Sequence, residues 1–434
     1  MKERIGFASY PDFSGNSKAL FEDMNNKEGN YELIWFCKDK KNADRLNKIG
    51  ITAICDKDDN FIEEFNKTKI IINTHDYFMD IKKDNQIFIN LWHGLEPKKA
   101  GVFSDAEVEW NYIFSTKNDF MVATSEFGRM IFSSVFNIPL YRIKKFSQAR
   151  YKWLFENKGK RNLEKLLKIN VNKFDKIIMY TPTFKKGIGK EDAKINDKNI
   201  LNLLEYDESI LIEYLKKNNI LLILKFHPSE ENKVKSSYSD NIVILKDEIM
   251  IENFITINEV LDAVDLLISD YSSIYIDYIN LERPVLFFGY DKDEYINNRG
   301  ILFDDLDFWW QAGPEVKTIT EFLDESNKLI NNENYYKKER EQFNRLVNGY
   351  KNKSNDDLIR FIDSIKNNDL QINNSYKMAL LNKQNEQLKD KVKELENKND
   401  LLQNDYNIVN QELDSIKYSR SYKFITKIKK IIKR

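Results

Sequence analysis

Apolar positions along the chain fall into three regimes. From residue 1 to about 150, short β-rich runs at Ile5–Ser9, Leu33–Cys37, Lys69–Asn73, Gln86–Trp92 and Phe120–Ala123 alternate with polar stretches of helical character. Runs such as Ile70–Asn73 and Ile87–Trp92 are apolar without alternation, the pattern of parallel strands covered on both faces. After the charged stretch Asn157–Lys168 the pattern restarts, predicting strands at Lys176–Tyr180, Leu221–Phe226, Ile242–Leu245, Leu266–Ser269 and Pro284–Phe288. The two blocks predict an α/β fold of two Rossmann-like domains, 1–150 and 151–365. Their strand C-terminal ends, and so their functional loops, would surround a shared crevice.

Beyond Asn367 glycine and proline almost vanish and a heptad repeat takes over. Leu381, Leu388, Leu395, Leu402, Val409 and Ile416 occupy d, with Asn385, Val392, Asn399, Tyr406 and Leu413 at a. Asparagine at a with leucine at d favours a parallel two-stranded coiled coil over 375–416, and hence a homodimer. A single long helix packed on its own domain is the alternative. The last segment, 417–434, carries eight Lys and Arg residues and no acidic one, a +8 tail. Phe424, Ile425, Ile428, Ile431 and Ile432 follow helical spacing, giving one apolar face ringed by cations. That combination suits docking on an anionic membrane surface better than it suits a nucleic-acid arm.

Composition changes this picture little. The chain has 434 residues, 41% hydrophobic and 32% charged, enough for real cores in more than one domain. Its net charge of −1 argues against a nucleic-acid partner, the basic tail notwithstanding. Only Cys37 and Cys55 occur, without zinc-type spacing, which fits a reducing cytoplasm. No apolar run approaches the roughly 18 residues of a membrane span, and the N-terminus lacks a signal-peptide pattern. The expected place is peripheral, at the cytoplasmic face of the membrane.

Candidate chemistry concentrates at strand ends. The chain has three histidines, and two close buried runs in equivalent positions: Trp92-His93-Gly94 and Lys225-Phe226-His227. One such ring can take a hydroxyl proton while the other stabilises phosphate charge. His75 also follows a strand and reads as structural or peripheral. Asp265–Asp277 reads as strand, turn, then a helix opening at Ser272 or Ser273, whose unbonded N–H groups and hydroxyls suit an anion. Asp277 lies one turn later on the same face. Thr181-Pro182-Thr183-Phe184, backed by Lys185 and Lys186, ends another strand. No Walker A, GxGxxG, HExxH or GxSxG sequence is present. Asp304-Asp305-Leu306-Asp307 reads as a solvated loop, so no metal or cofactor is called for.

Taken together, these residues resemble the CDP-glycerol glycerophosphotransferase family, the primases and polymerases of teichoic acid and related capsules. The resemblance runs from about Ile5 to Tyr350. It includes Trp92-His93-Gly94 with Pro97-Lys98-Lys99, Thr181-Pro182-Thr183, His227-Pro228, Ser269–Ser273 with Asp277, Arg283-Pro284, Tyr290-Asp291, Arg299-Gly300 and Gly313-Pro314. It implies a GT-B architecture that passes a polyol phosphate from CDP-glycerol or another CDP-polyol to a lipid-linked polymer. His93 and His227 would be catalytic, and Trp92, Gly94, Leu95, Arg150, Pro182, Thr183, Lys225, Phe226, Ser272, Ser273 and Asp277 would bind the donor. The chain departs from the family at Ala149-Arg150-Tyr151-Lys152, where a Pro-Arg-Asn-Asp-like turn is usual, and at Leu95, where threonine is common. A nucleotide-sugar glycosyltransferase would share this fold. An inactive assembly protein using the coil is the reading from another class.

Overall fold

The computed structural model describes residues 3–27, 31–104, 108–183, 199–231, 234, 238–303, 305–350, 353–366 and 374–432. The chain falls into two compact units, Met1–Arg360 and Phe361–Arg434. The larger contains two parallel sheets. The first is built from β1 (Glu3–Phe7), β2 (Tyr31–Cys37), β3 (Ala53–Cys55), β4 (Ile70–Asn73), β5 (Ile87–Asn90), β6 (Phe120–Ala123) and β7 (Ile143–Lys145), in the order β3-β2-β1-β4-β5-β6-β7. The second is built from β8 (Lys176–Thr181), β9 (Ile220–Leu224), β10 (Ile242–Ile244), β11 (Leu266–Ser269), β12 (Val285–Phe288) and β13 (Glu315–Val316), in the order β10-β9-β8-β11-β12-β13.

The unbroken apolar runs are the central strands. β4, β9 and β11 are buried at every position, because helices cover both faces of each sheet. One core cluster runs from Phe36 and Phe88 through Tyr151 and Leu163 to Tyr275 and Trp309, joining the two sheets. The outer face of the second sheet packs separately, with Tyr180, Leu222 and Leu224 against Leu211 and Phe322. Three strands are not apparent in the hydrophobic pattern: β3, β7 and β13, each of three residues or fewer.

The chain does not stay in the second half once it has left the first. After the helix Lys337–Val347, the Tyr350 N–H donates to Thr124 O at 2.8 Å and Thr124 Oγ1 donates to Val347 O at 2.5 Å. The Asn355 amide reaches Asp23 Oδ2 at 2.7 Å and Ala149 O at 3.1 Å. These bonds tie the end of the unit to loops of the first sheet.

The smaller unit contains the helices Asn374–Tyr418 and Arg420–Ile432. Leu388, Val392, Leu395, Leu402, Tyr406, Val409, Leu413 and Ile416 are all exposed on the long helix. Within one chain, then, nothing covers the heptad stripe among the described residues. Among those residues no helix is long and apolar enough to cross a membrane.

Candidate functional site

Each sheet has one place where strand order reverses, between β1 and β4 and between β8 and β11. Connections leave toward opposite faces there, opening a crevice beyond the strand C-termini. The loops at the two reversals share one cleft of about 360 Å³. Pro11–Gly15 after β1 lines it from one side; Thr181 and Pro182 after β8, and Ser272 and Ser273 after β11, line it from the other. His93, Arg150, Lys225 and Asp277 also face it, and Met250, Phe254, Ile255 and Ile257 supply an apolar wall.

Local backbone geometry presents His93. Trp92 has φ of 51° and Gly94 of 143°, so the chain reverses on both sides of the histidine. The indole is wedged against Phe136 and Phe114, at 4.7 and 5.4 Å between centroids. Its backbone is held by Asn90 Oδ1, which accepts from Trp92 N at 2.8 Å, and by the Asn16 amide, which donates to Trp92 O at 2.7 Å. On the ring, Nδ1 lies 3.3 Å from Thr74 O and Nε2 lies 3.3 Å from Glu96 Oε1. The other Glu96 oxygen is 2.6 Å from Lys98 Nζ. Burial alone would push the Glu96 carboxyl up, but Lys98 and His93 outweigh it and hold it well below the usual carboxylate range.

His75 is not peripheral. Its ring stacks on His93 at 4.6 Å with planes 12° apart, and its Nδ1 is 2.9 Å from Thr74 Oγ1. Burial, reinforced by the charges of His93 and Arg150 and opposed by Glu96, pushes it down to about 3. It is therefore a neutral partner at neutral pH, and a charged neighbour can stack on it without repulsion.

A buried ion pair joins the two halves directly beneath the cleft. Arg150 Nη2 is 2.7 Å from Asp277 Oδ2 and donates to His93 O, also at 2.7 Å. The two side chains are 9% and 2% exposed. Asn258 Nδ2 donates to the same Asp277 oxygen at 2.8 Å, and Asn16 Oδ1 accepts from Arg150 N at 3.1 Å. Above the pair the halves nearly touch: a Cβ at Gly94 would lie 3.1 Å from Ser273 Oγ and 3.5 Å from Arg150 Nη2. A second bridge runs from Lys18 Nζ to Glu259 Oε2 at 2.6 Å and to Phe254 O at 2.5 Å.

The remaining residues divide into those that face the cleft and those that place it. The helix after β11, Ile274–Tyr278, spans five residues with Ser273 as N-cap, too short for a large dipole. At its start Ser272 Oγ accepts from Ile274 N at 3.4 Å, and Ser272 and Ser273 both line the cleft. Thr183 does not face the cleft: its N–H and hydroxyl both donate to Asp270, at 2.8 and 2.5 Å, which fixes the turn carrying Pro182. Lys225 faces the cleft with its ammonium shared at 3.0 Å by Glu231 and Asp247.

Trp92, Leu95 and Phe226, expected as donor contacts, have side chains packed in the hydrophobic core, Trp92 and Phe226 two residues past buried strand ends and Leu95 further along the loop from Trp92. Asp277 is buried by its pairing with Arg150 rather than presented to a ligand, although it still contributes to the cleft lining. His227 is exposed and is not among the lining residues. Its carbonyl accepts from Glu230 N at 2.8 Å and Glu231 N at 3.2 Å, opening the short helix Pro228–Glu231. Phe184, Lys185, Lys186 and Asp304 lie outside the described residues. Pro11–Gly15 and the Asp247–Asn258 wall carry no motif, and only strand order could have pointed to the first of them.

Two parallel sheets that share one cleft beyond their order reversals define an α/β protein of parallel-sheet architecture. Residues 1–363 match the family described as CDP-Glycerol:Poly(glycerophosphate) glycerophosphotransferase, and the chain belongs to that family. It is 28% identical over 346 residues to the teichoic acid poly(ribitol-phosphate) polymerase of Bacillus spizizenii, covering 76% of this chain and 51% of that one. It is also 28% identical over 354 residues to the teichoic acid poly(glycerol phosphate) polymerase of the same organism, covering 75% and 84%. This chain thus spans about half the length of the first relative and most of the second. A solved structure of the wall teichoic acid polymerase TagF has the same fold, with a TM-score of 0.69 at 21% identity over 86% of this chain and 90% of that one.

Proposed function

We propose that this chain transfers glycerol phosphate, or a related polyol phosphate, from a CDP-activated donor to a hydroxyl of a teichoic-acid-like or capsular polymer carried on a membrane lipid, releasing CMP. The observation that carries this reading is one cleft lined by His93 from one half and by Ser272 and Ser273 from the other, with Gly94 set against Ser273, in a chain of this family. The acceptor oxygen attacks the β-phosphorus of the donor in line, and His93 takes its proton as general base. Ser272, Ser273 and the N–H groups behind them hold the donor phosphates, with Arg150 beneath. His227, exposed two residues beyond the cleft-lining Lys225, is assigned to charge stabilisation on the phosphates. Incubating the protein with CDP-glycerol, CDP-ribitol and UDP-sugars plus a polymer acceptor tests the reading. CMP release from a CDP-polyol supports it, and UDP release alone would make the chain a glycosyltransferase.

The smaller unit suits assembly at a membrane. The exposed heptad stripe pairs with a second copy as a parallel coiled coil. The helix Arg420–Ile432 exposes Phe424, Ile425 and Ile428 among Lys423, Lys427 and Lys429, a face for the anionic cytoplasmic leaflet. Deleting 417–434 should abolish sedimentation with anionic vesicles while sparing activity on a soluble acceptor. Equal sedimentation of the truncated chain would refute docking through the tail.

A further inference from the structure

We infer that Glu96 is a positioning residue for His93: with Lys98 it forms a chain of contacts, Lys98 to Glu96 to His93, that fixes the ring and meets the positive charge formed when the ring takes the acceptor proton. The inference rests on the reading of His93 as the base.

The geometry of the loop carries it. Glu96 lies between His93 and Lys98 with its two oxygens, at 3.3 Å to His93 Nε2 and 2.6 Å to Lys98 Nζ, and its side chain is only 16% exposed. The segment that bears it is pinned to the second half of the unit. Leu302 N donates to Pro97 O at 2.7 Å, Lys99 N donates to Gly300 O at 3.2 Å, and Lys98 bridges to Ile301. Glu96 is therefore held by the backbone and does not depend on side-chain chance for its place.

Nδ1 of His93 faces the Thr74 carbonyl and Nε2 faces the Glu96 carboxylate; both neighbours can only accept, so the neutral ring donates to one of them and only the imidazolium can donate to both. When the acceptor O–H bond breaks, its proton passes to the ring nitrogen that carries the lone pair. The O–P bond forms, and the bond from the β-phosphorus to CMP breaks with the electron pair leaving on CMP. The imidazolium so produced has a carbonyl on one nitrogen and a carboxylate beside the other. The other groups facing it are His75, stacked on its plane, and Arg150, whose guanidinium sits on the His93 carbonyl. Arg150 is already matched by Asp277 and His75 is kept neutral by burial, so Glu96 is the neighbour that answers the new charge.

The test uses the full chain with its histidines labelled with nitrogen-15. Only three histidines are present, so His75, His93 and His227 variants assign every ring signal. Glu96→Gln should move the His93 titration midpoint down by about one pH unit, the effect of losing an opposite charge at this distance. Glu96→Asp should restore most of it. CMP release from CDP-glycerol should fall about tenfold or more in kcat with KM for the donor little changed, and its acid limb should move to lower pH. An unmoved His93 midpoint in Glu96→Gln would overturn the inference whatever the activity. A shifted midpoint in a protein that releases no CMP from any CDP-polyol would support the pairing and overturn the proposed function instead.

Discussion

Replacing Asp277 by alanine should destabilise the larger unit severely, and by an amount that the ion pair itself sets. Arg150 and Asp277 lie 2.7 Å apart, almost wholly shielded from water, and Arg150 Nε is buried with no hydrogen-bond partner among the described residues. Removing the carboxylate leaves the guanidinium with only the His93 carbonyl, and removing one partner of a buried pair costs about 3–5 kcal/mol. Asn258 also loses its acceptor, adding on the order of 1 kcal/mol. For a unit of this size the loss should lower Tm by at least about 5 °C. The double variant Arg150→Met/Asp277→Leu removes both charges and keeps apolar volume, so it should recover much of the loss. Calorimetry of Arg150→Met, Asp277→Leu and the double variant gives the coupling directly, expected above about 1.5 kcal/mol. A drop in Tm below about 1 °C for Asp277→Ala, or strict additivity in the double variant, would refute the view that this pair locks the two halves together.

Other expectations follow from the same contacts. His75 has a native value near 3 against an ordinary 6.5, so the unfolded chain binds a proton between those values that the native chain does not. Stability is complete above about pH 6.5 and is lost as pH falls toward 3; His75→Phe, which keeps the stack but cannot titrate, should reduce that loss by on the order of 2 kcal/mol at pH 5 in urea titrations. Gly94→Ala forces a methyl group into the gap between Ser273 and Arg150 at a φ of 143°, so CMP release should fall at least tenfold with a modest drop in Tm. Leu388→Asp with Leu395→Asp should convert a dimer to a monomer in light scattering without moving the Tm of the larger unit, since both side chains are exposed within one chain.

How much of this was legible in the sequence depended on range. Unbroken apolar runs such as Ile70–Asn73 and Leu266–Ser269 announced central parallel strands, because burial on both faces leaves no alternation. β3, β7 and β13 were not legible, since two or three residues at a sheet edge or beside turn residues carry no period. His93 could be picked out from its place after a buried run, and the structure puts it in the cleft. Its stacking on His75 depends on two loops eighteen residues apart meeting in space, which no local spacing reports. The ionic environment of Glu96 was hidden for a different reason. A glutamate near a lysine is ordinary in sequence, and only the reversal at Trp92 and Gly94 turns it toward the imidazole. His227 shows the converse, a strand-end histidine whose side chain is exposed because the chain turns immediately into the helix Pro228–Glu231.

The most direct test is CMP release from CDP-glycerol in the presence of a lipid-linked polymer acceptor, measured for the unaltered chain and for His93→Ala, with donor binding followed in parallel by calorimetry. The account predicts that the unaltered chain releases CMP and that His93→Ala lowers turnover at least a hundredfold while still binding the donor. Equal CMP release by the two proteins would contradict it.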